Sequence, residues 1–382
     1  MLMTMAMLLL TVLASSHAPY HAFQAARSDD ALTEWRAKHG VELSADVVGT
    51  DGRRMHMLPS QLSETDILDL HAAALRCDVD NSEPDTVDKA ATYQAYVIKD
   101  GKPIAGCSEI GRLLAPIIEE RILPFIRAKY RCPEACIESA LVRRYRAGER
   151  TSLPIHYDIE AFATAIIPLS VQADRAAGPP SHLSTYEGGL FVQGGASRSS
   201  RRLIRFGPGD VLVHQFDLMH GVEVHAGTRY ALALWFSDSP RSRLKGTTPW
   251  VLKAAQAGNA DAMFLQASFC AQGRFGAELD EATARRWLER GAAQGHAVSL
   301  LGLGRHLLGE GEAEAAVASF RLAAEQGHVE AQYTLAICYT DGIGVESSVD
   351  EAAIWFDMAA QEGGEFGEAA ALELEELRQI GA

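Results

Sequence analysis

Residues 210–236 read DVLVHQFDLMHGVEVHAGTRYALALWF, and this stretch decides the fold of the larger part of the chain. Its apolar residues come in short runs rich in β-branched and aromatic side chains, and a Gly-Pro-Gly-Asp turn at 207–210 precedes it. Such runs between turn residues are typical of β-strands. The stretch therefore predicts two strands, DVLVHQF and RYALALWFS, with His220 and Arg229 beside or within them.

The same pattern extends upstream to residue 137, where it predicts the strands IESALVRRY, AFATAIIPLS, GGLFVQ and RRLIRF. Several short strands at regular spacing indicate a double-sheet β-fold of the jelly-roll kind over residues 137–237. Residues 173–189 interrupt this pattern with Gly, Pro and Ser, which predicts a long loop. Long loops of this kind often serve as lids or binding segments.

Helical patterns lie before the strands. The segment 60–64 contains Ser, Gln and Glu and precedes ILDLHAAAL, which predicts a capped amphipathic helix. Residues 110–130 have apolar side chains at helical intervals, and Pro116 and Pro124 are expected to begin or kink helices there. We expect these helices to cover one face of the sheet.

A His-x-Asp motif at 156–158 carries the clearest chemical signal. Residues two apart on a strand point to the same side, with Cα atoms roughly 6.5 Å apart, so His156 and Asp158 can meet one ion. His220 follows 64 residues later (220 − 156), and Arg229 follows nine residues after that (229 − 220). Two imidazoles and a carboxylate leave half of an octahedral iron open, as in non-haem Fe(II) oxygenases. The predicted metal ligands are His156, Asp158 and His220.

Two other histidines are alternatives for the third ligand. His214 and His225 flank His220. His225 lies close to the turn before Arg229, and His214 changes the spacing to that basic residue. A His-x-Asp pair alone is weak, but its order before a Gly-Gly strand, a Pro-Gly-Asp turn, a His and a Gly-x-Arg is restrictive. The order favours His220 and leaves the other two as alternatives.

On these motifs, residues 137–237 resemble the Fe(II)/2-oxoglutarate-dependent dioxygenases in their prolyl 4-hydroxylase-like branch. The resemblance implies a double-stranded β-helix, with Arg229 pairing with the distal carboxylate of 2-oxoglutarate. It also implies that Tyr145, in a Tyr-x-x-Gly, contacts this co-substrate and that Thr164 lines the same pocket, although either residue can instead be part of the core. Trp235 matches a strand aromatic, which is interpreted as core.

The chain departs from that branch in three ways. Arg229 stands where the collagen-type enzymes usually have Lys, although Arg holds a carboxylate with two parallel hydrogen bonds. The interval from Tyr145 to His156 is slightly longer than in the family, and a second Tyr expected before the His-x-Asp is absent. These departures leave the branch and the substrate open. Because Asp158 is present, a halide-binding variant of the site is not expected.

The resemblance implies an enzyme that uses Fe(II) and 2-oxoglutarate, with L-ascorbate keeping the iron reduced, and that forms succinate and carbon dioxide. The favoured substrate is a prolyl, or else a lysyl, residue of a peptide or protein. Two alternatives stay open: a repeat scaffold without activity, and a hydroxylase of a small molecule. Another cluster, Arg198, Arg201, Arg202 and Arg205, is interpreted as a solvated strand edge, with substrate binding as its alternative.

Past Pro240 the strands stop, so a boundary is predicted between 240 and 250 and the enzyme domain is assigned to 27–240. Related motifs such as AAQGHAV and AAEQGHVEA then place glycines at 258, 295, 327 and 363, at intervals of 37, 32 and 36 residues. Repeats of this length are helical hairpins that bury their apolar faces by stacking. Residues 250–376 resemble Sel-like repeats, relatives of the tetratricopeptide family, which implies an α-solenoid that contacts proteins. A solenoid that only supports the enzyme is the alternative.

Charge separates the two parts. Residues 250–382 hold 8 Lys and Arg against 21 Asp and Glu, which gives −13 of the total −15. Such an acidic surface excludes nucleic acid and favours basic or neutral protein partners.

The leader MLMTMAMLLLTVLA is too short to span a bilayer. It resembles a signal-peptide core within residues 1–18, with Ala14 or Ala18 as the cleavage point and the endoplasmic reticulum or secretory pathway as the destination. Because a basic start is lacking, a cytoplasmic protein with a misassigned start is the alternative. Cys132 and Cys136 could pair in an oxidising lumen, whereas Cys270 and Cys338 occupy equivalent repeat positions and are interpreted as buried apolar residues.

Overall fold

The structure is a computed structural model that describes residues 47–48, 54–77, 79, 84–85, 87–173 and 183–380. The predicted signal peptide, residues 27–46 and the centre of the predicted loop at 173–189 lie outside the described residues. The described residues form two compact units. The sheet unit comprises those from 47 to 192 and from 202 to 250, and the repeat unit comprises 193–201 and 251–380.

The strands of the described ranges alternate with turns much as the sequence predicts. They are β1 (Val47–Val48), β2 (Arg54–Leu58), β3 (Gln94–Lys99), β4 (Lys102–Pro103), β5 (Cys136–Arg146), β6 (Ser152–His156), β7 (Ala163–Pro168), β8 (Val171–Gln172), β9 (Thr185–Gln193), β10 (Arg201–Leu203), β11 (Val211–Gln215) and β12 (His220–Ser237). Strands β2 and β3 were not predicted, because the sequence before residue 100 has no clear alternation. The predicted strand RRLIRF is shorter in the structure.

The strands form two sheets that share β12. One sheet has the order β1-β2-β11-β7-β12-β5-β3-β4, and its paired strands are antiparallel. The first half of β12 instead pairs with β6 and β9, and β9 also pairs with β8 and β10. A core of apolar side chains from both sheets includes Met55, Tyr145, Ile166, Leu190, Leu212 and Val222. This is a jelly roll, and the predicted fold is confirmed.

Strand β12 is longer than predicted because it passes from one sheet to the other over 18 residues. Its pairing register with β9 shifts between Val224 and Ala226. Next to this irregularity, Gly227 has a φ of +78°, and a Cβ atom there would lie 2.1 Å from the carbonyl oxygen of Thr185. Only glycine combines that backbone conformation with so close an approach. The crossing places His220 and Arg229 on one continuous strand.

The predicted helices of the sheet unit are confirmed. Helix α1 (Glu64–Arg76) begins with a capping box, in which Ser63 and Asp66 each accept the other's backbone N–H. Helix α2 (Ser108–Ile117), a π-helical turn (Ile118–Ile122) and helix α3 (Leu123–Lys129) follow one another without a break. Pro116 and Pro124 flank this turn, because each proline lacks an N–H that a regular helix would use. Helix α4 (Pro240–Lys245) follows β12.

The C-terminal part is a run of helices whose neighbours pack in sequence order, and the predicted solenoid is confirmed. The helices are α5 (Pro249–Gln256), α6 (Ala260–Gln272), α7 (Glu281–Ala292), α8 (Ala297–Gly309), α9 (Ala313–Ala324), α10 (Val329–Asp341), α11 (Val349–Glu362) and α12 (Gly364–Ile380). Cys270 and Cys338 are buried, as their repeat positions predict. In the part of the chain that the structure describes, no helix combines the length and apolarity that a membrane span requires.

Candidate metal centre

The jelly roll brings together the three predicted metal ligands. His156 is the last residue of β6, His220 is the first residue of β12, and the two are register partners across these strands. Asp158 follows β6 and turns back toward both imidazoles. Its Oδ1 lies 3.6 Å from Nε2 of His156, and its Oδ2 lies 3.6 Å from Nε2 of His220. One ligand atom from each residue falls within 4.8 Å of the others, which is compact enough for a single ion.

Backbone carbonyls fix the orientation of both imidazoles. The Nδ1 atom of His156 lies 2.9 Å from the carbonyl oxygen of Pro154, and that of His220 lies 2.9 Å from the carbonyl oxygen of Leu218. An Nδ1–H that donates to a carbonyl leaves the lone pair on Nε2. Both Nε2 atoms then face the carboxylate with their lone pairs, as metal ligands do.

The protonation states also suit a metal. Burial raises the pKa of Asp158, but the neighbouring imidazoles of His220 and His156 outweigh burial and hold this pKa far below its usual range. Burial lowers the pKa of His220 to about 3, although Asp158 opposes this shift. At neutral pH the carboxylate is therefore charged and His220 is neutral. Metal binding requires both states.

The two alternative ligands lie in different environments. His225 is exposed on β12, away from the buried carboxylate. His214 is 1% exposed, and its Nε2 lies 3.9 Å from Oδ2 of Asp158, with no hydrogen-bond partner among the described residues. Its ring centroid is 4.8 Å from that of His220. His214 therefore lies beside the predicted ligand set, and its free Nε2 faces the same carboxylate.

Thr164 contacts the carboxylate of Asp158. Its hydroxyl donates to Oδ2 of Asp158 over 2.7 Å, and its side chain is fully buried on β7. Strand pairing places Thr164 opposite His214 on one side and Trp235 on the other. Trp235 itself is half-buried. The predicted co-substrate role of Thr164 stays a prediction, whereas the structure shows a hydrogen bond that orients Asp158.

Arg229 is buried in the sheet unit between two tyrosines. It is 3% exposed, and its Cζ lies 5.6 Å from the ring centre of Tyr145 and 5.9 Å from that of Tyr186. Within the described residues, Nε of Arg229 and the hydroxyl of Tyr186 have no hydrogen-bond partner. A buried cation with an unsatisfied donor carries a large free-energy cost unless an anion joins it. The pocket therefore fits an acidic ligand.

Two residues of this pocket were missed by the sequence analysis. Tyr186 is on β9, and it provides a second phenol beside Arg229 although the second Tyr of the family motif is absent. Arg143 lies close enough to Tyr145 to interact with it electrostatically, and it is held by Asp85 at 3.2 Å and by the side-chain oxygen of Gln94. The period of two on β5 could have indicated Arg143, because it shares a face with Tyr145. No local pattern indicates Tyr186.

The structure also places the predicted arginine cluster and two of the cysteines. Arg198, Arg202 and Arg205 are exposed, as expected for a solvated edge. The Cys132 thiol donates to the carbonyl oxygen of Asp238 over 3.1 Å, and no disulfide joins Cys132 to Cys136 in the structure.

Comparisons with known proteins give separate matches for the two parts. The Sel1 repeat family model matches residues 260–296 and 329–364. A Sel1 repeat protein from Oxalobacter formigenes is 29% identical, covers 33% of this chain and 95% of its own, and has a TM-score of 0.30. No curated protein matches the sequence.

The sheet unit is similar to oxygenase structures. An oxidoreductase of the 2OG-Fe(II) oxygenase family from Burkholderia pseudomallei is 17% identical, with coverage of 59% of this chain and 98% of that one and a TM-score of 0.38. A Pseudomonas putida prolyl-4-hydroxylase is 16% identical, with coverage of 54% and 97% and a TM-score of 0.35. The chain thus contains Sel1 repeats in its C-terminal part, after the jelly roll.

Proposed function

We propose that this protein is an Fe(II)- and 2-oxoglutarate-dependent dioxygenase that hydroxylates a prolyl, or else a lysyl, residue of a peptide or protein. One observation carries the proposal: a buried His-Asp-His cluster lies in the same jelly roll as a buried arginine whose Nε has no hydrogen-bond partner among the described residues. A scaffold would gain nothing from either feature, because each one costs folding free energy until a ligand binds.

His156, Asp158 and His220 would hold the iron. Thr164 keeps the carboxylate of Asp158 oriented by donating to its Oδ2, and His214 lies beside that oxygen, so Asp158 needs little reorganisation on binding. Bound Fe(II) would supply the oxidative chemistry, in which 2-oxoglutarate and dioxygen become succinate and carbon dioxide while a C–H bond is hydroxylated. L-ascorbate is proposed to keep the metal reduced, by resemblance.

Arg229 and the two tyrosines would hold the distal carboxylate of 2-oxoglutarate. The guanidinium provides charge and parallel donors, while the phenol of Tyr186 adds a donor from the opposite strand. Tyr145, the register partner of Arg229 on β5, would supply the other phenol of this pocket. Tyr186 thus takes the place of the second family Tyr that the sequence lacks.

The repeats are proposed to recruit the protein substrate. Leu322 on α9 and Met358 on α11 occupy the same repeat position, five residues before Gly327 and Gly363, and both are exposed. Ile354, one helical turn before Met358, is also exposed. These exposed apolar side chains lie on the acidic part of the chain, which carries −13. An amphipathic segment with basic residues fits such a surface.

The proposal is tested with the purified full-length chain, Fe(II), 2-oxoglutarate and a library of prolyl and lysyl peptides. Succinate formation coupled to a 16-Da gain on a peptide is expected, since hydroxylation adds one oxygen atom. Succinate without any peptide product, but with product from a small molecule, would assign a different substrate class. A chain that loads iron yet forms no succinate would refute the enzyme.

A further inference from the structure

Two cysteines that the proposed function does not use lie side by side in the sheet unit. Cys77 caps the C-terminus of α1, and Cys107 ends the short 3₁₀ turn (Ala105–Cys107) that leads into α2. Their Sγ atoms are 2.6 Å apart, although the residues are 30 positions apart in sequence. A covalent S–S bond measures about 2.05 Å, so the sulfur atoms need to move by only about half an ångström.

The surrounding packing holds both cysteines in place. Ala73, Ala74 and Ile110 are almost fully buried on the two helices, and Cys107 is 6% exposed. Arg76 and Glu109 form a double hydrogen bond beside the sulfur atoms. Because those two side chains are about half exposed, their ion pair adds little stability. The apolar contacts, rather than this pair, fix the distance between the sulfurs.

The chemical environment separates this pair from a catalytic thiol. Burial and the neighbouring Cys107 thiol raise the pKa of Cys77 to about 12. A reactive cysteine needs a lowered pKa, because the thiolate is the nucleophile. Among the described residues, these two thiols are not grouped with the further His, Cys, Asp or Glu ligands that a structural zinc site needs. A cross-link is the remaining use of two adjacent thiols.

We propose that Cys77 and Cys107 form an intrachain disulfide that ties α1 to α2. The two thiols are oxidised and a new S–S bond forms between them. A disulfide oxidant such as oxidised glutathione is reduced to two thiols, taking up both electrons and both protons. The same two residues line an open pocket between the helices, which gives a small oxidant access.

The disulfide would stabilise helix α1, which packs against β12. Helix α1 places His71 edge-on against Tyr230, with ring centroids 5.6 Å apart, and Tyr230 follows Arg229 on β12. Cross-linking the end of α1 restricts the unfolded chain between residues 77 and 107, which stabilises the folded unit.

The test uses the full-length protein in an oxidised and reduced glutathione buffer, followed by alkylation of free thiols and tryptic mass spectrometry. We expect peptide 77–89 to be joined to peptide 100–112, because Lys102 precedes Pro103 and is not cleaved. Reductant should lower the thermal unfolding midpoint by at least about 5 °C, and should have no such effect on the Cys77→Ser/Cys107→Ser variant. Cys132→Ser, whose thiol contacts a backbone carbonyl, is the matched control and should keep the full shift.

The proposal fails if both residues are alkylated after oxidation, or if reductant does not shift the midpoint of the wild-type chain. A cross-link between Cys132 and Cys136 instead of this pair would also overturn it. None of these measurements reads turnover, so their outcome is independent of the proposed oxygenase activity.

Discussion

Each part of the chain buries histidine beside aspartate, and the two arrangements differ in how closely the imidazole Nε2 atoms approach the carboxylate. In the repeat unit, His296 has Ser299 Oγ at 2.7 Å from Nδ1 and Asp261 Oδ1 at 3.3 Å from Nε2. In the sheet unit, Nδ1 of His156 and of His220 is satisfied by a carbonyl, but each Nε2 stays 3.6 Å from Asp158. The repeat histidine is hydrogen-bonded at both ring nitrogens, whereas each sheet Nε2 lies beyond hydrogen-bond distance of the carboxylate that it faces. Burial of a histidine beside an aspartate therefore does not by itself identify a site, and the distances around the imidazole nitrogens distinguish the two arrangements.

The largest expected effect comes from removing one of the two histidines that face Asp158 in the sheet unit. His220→Ala should lower Fe(II) affinity and succinate formation by more than roughly 10–100-fold, which is the loss typical of removing a residue that only hydrogen-bonds to a metal ligand. Metal titration by calorimetry and succinate assay measure both. His225→Ala, on the same strand but exposed, is the matched control and should change neither. Retained iron affinity in His220→Ala would move the third ligand to His214.

The arginine pocket gives the next largest effect. Arg229→Ala should weaken 2-oxoglutarate binding by about 30-fold or more, since hydrogen bonds to a charged partner contribute roughly 1.5–3 kcal/mol. Calorimetric titration of the metal-loaded protein measures this. Iron affinity without 2-oxoglutarate should not change. Arg229→Lys should recover part of the binding because it restores the charge without the parallel donors. Equal losses of metal and co-substrate binding would indicate misfolding instead.

Variants of Thr164 distinguish a residue that orients the proposed metal ligand Asp158 from one that contacts the co-substrate. Thr164→Val keeps the shape but removes the hydroxyl that Asp158 accepts, so iron affinity should fall about 10-fold. The KM for 2-oxoglutarate should change little if the hydroxyl serves the carboxylate alone. Thr164→Ser is expected to restore affinity. A raised KM with unchanged iron affinity would support the co-substrate role that the family resemblance implies.

The repeats should affect only large substrates. Leu322→Asp/Met358→Asp places charges on the exposed apolar positions of the repeats and should raise the KM for a protein substrate by about 10-fold, roughly 1.4 kcal/mol. A short peptide should be turned over unchanged, since it lacks the segment that is proposed to bind the repeats. Leu372→Asp, also exposed but on α12, is the control. Equal effects of all these variants on both substrates would contradict recruitment.

The smallest functional effect is expected from changing the hydrogen-bonded pair of the repeat unit, His296 and Asp261. His296→Ala should leave iron binding intact but lower the free energy of unfolding by about 1–3 kcal/mol, because it removes a helix cap and the contact with Asp261. Chemical denaturation measures this loss. His306→Ala is a fair comparison, since that partly exposed side chain only pairs with Glu310. A reduced iron affinity in His296→Ala would contradict the purely structural role of His296.

The secretory destination remains a prediction from the leader. An intrachain disulfide persists in oxidising compartments and is rare in the cytosol. Detection of the Cys77–Cys107 bond in protein isolated from its own cells would therefore bear on the compartment without use of the leader.

The sequence by itself determined the repeats, the strand-rich region, and the ordered His-x-Asp, His and Arg. These signals are local or periodic: helical hairpins contact their neighbours in sequence, and strand runs show in the alternation of side chains. Only the tertiary structure decided that His225 is exposed, that Thr164 holds Asp158, that Tyr186 joins Arg229, and that Cys77 meets Cys107. Those contacts depend on strand register and on helix packing between distant segments, which no local pattern specifies.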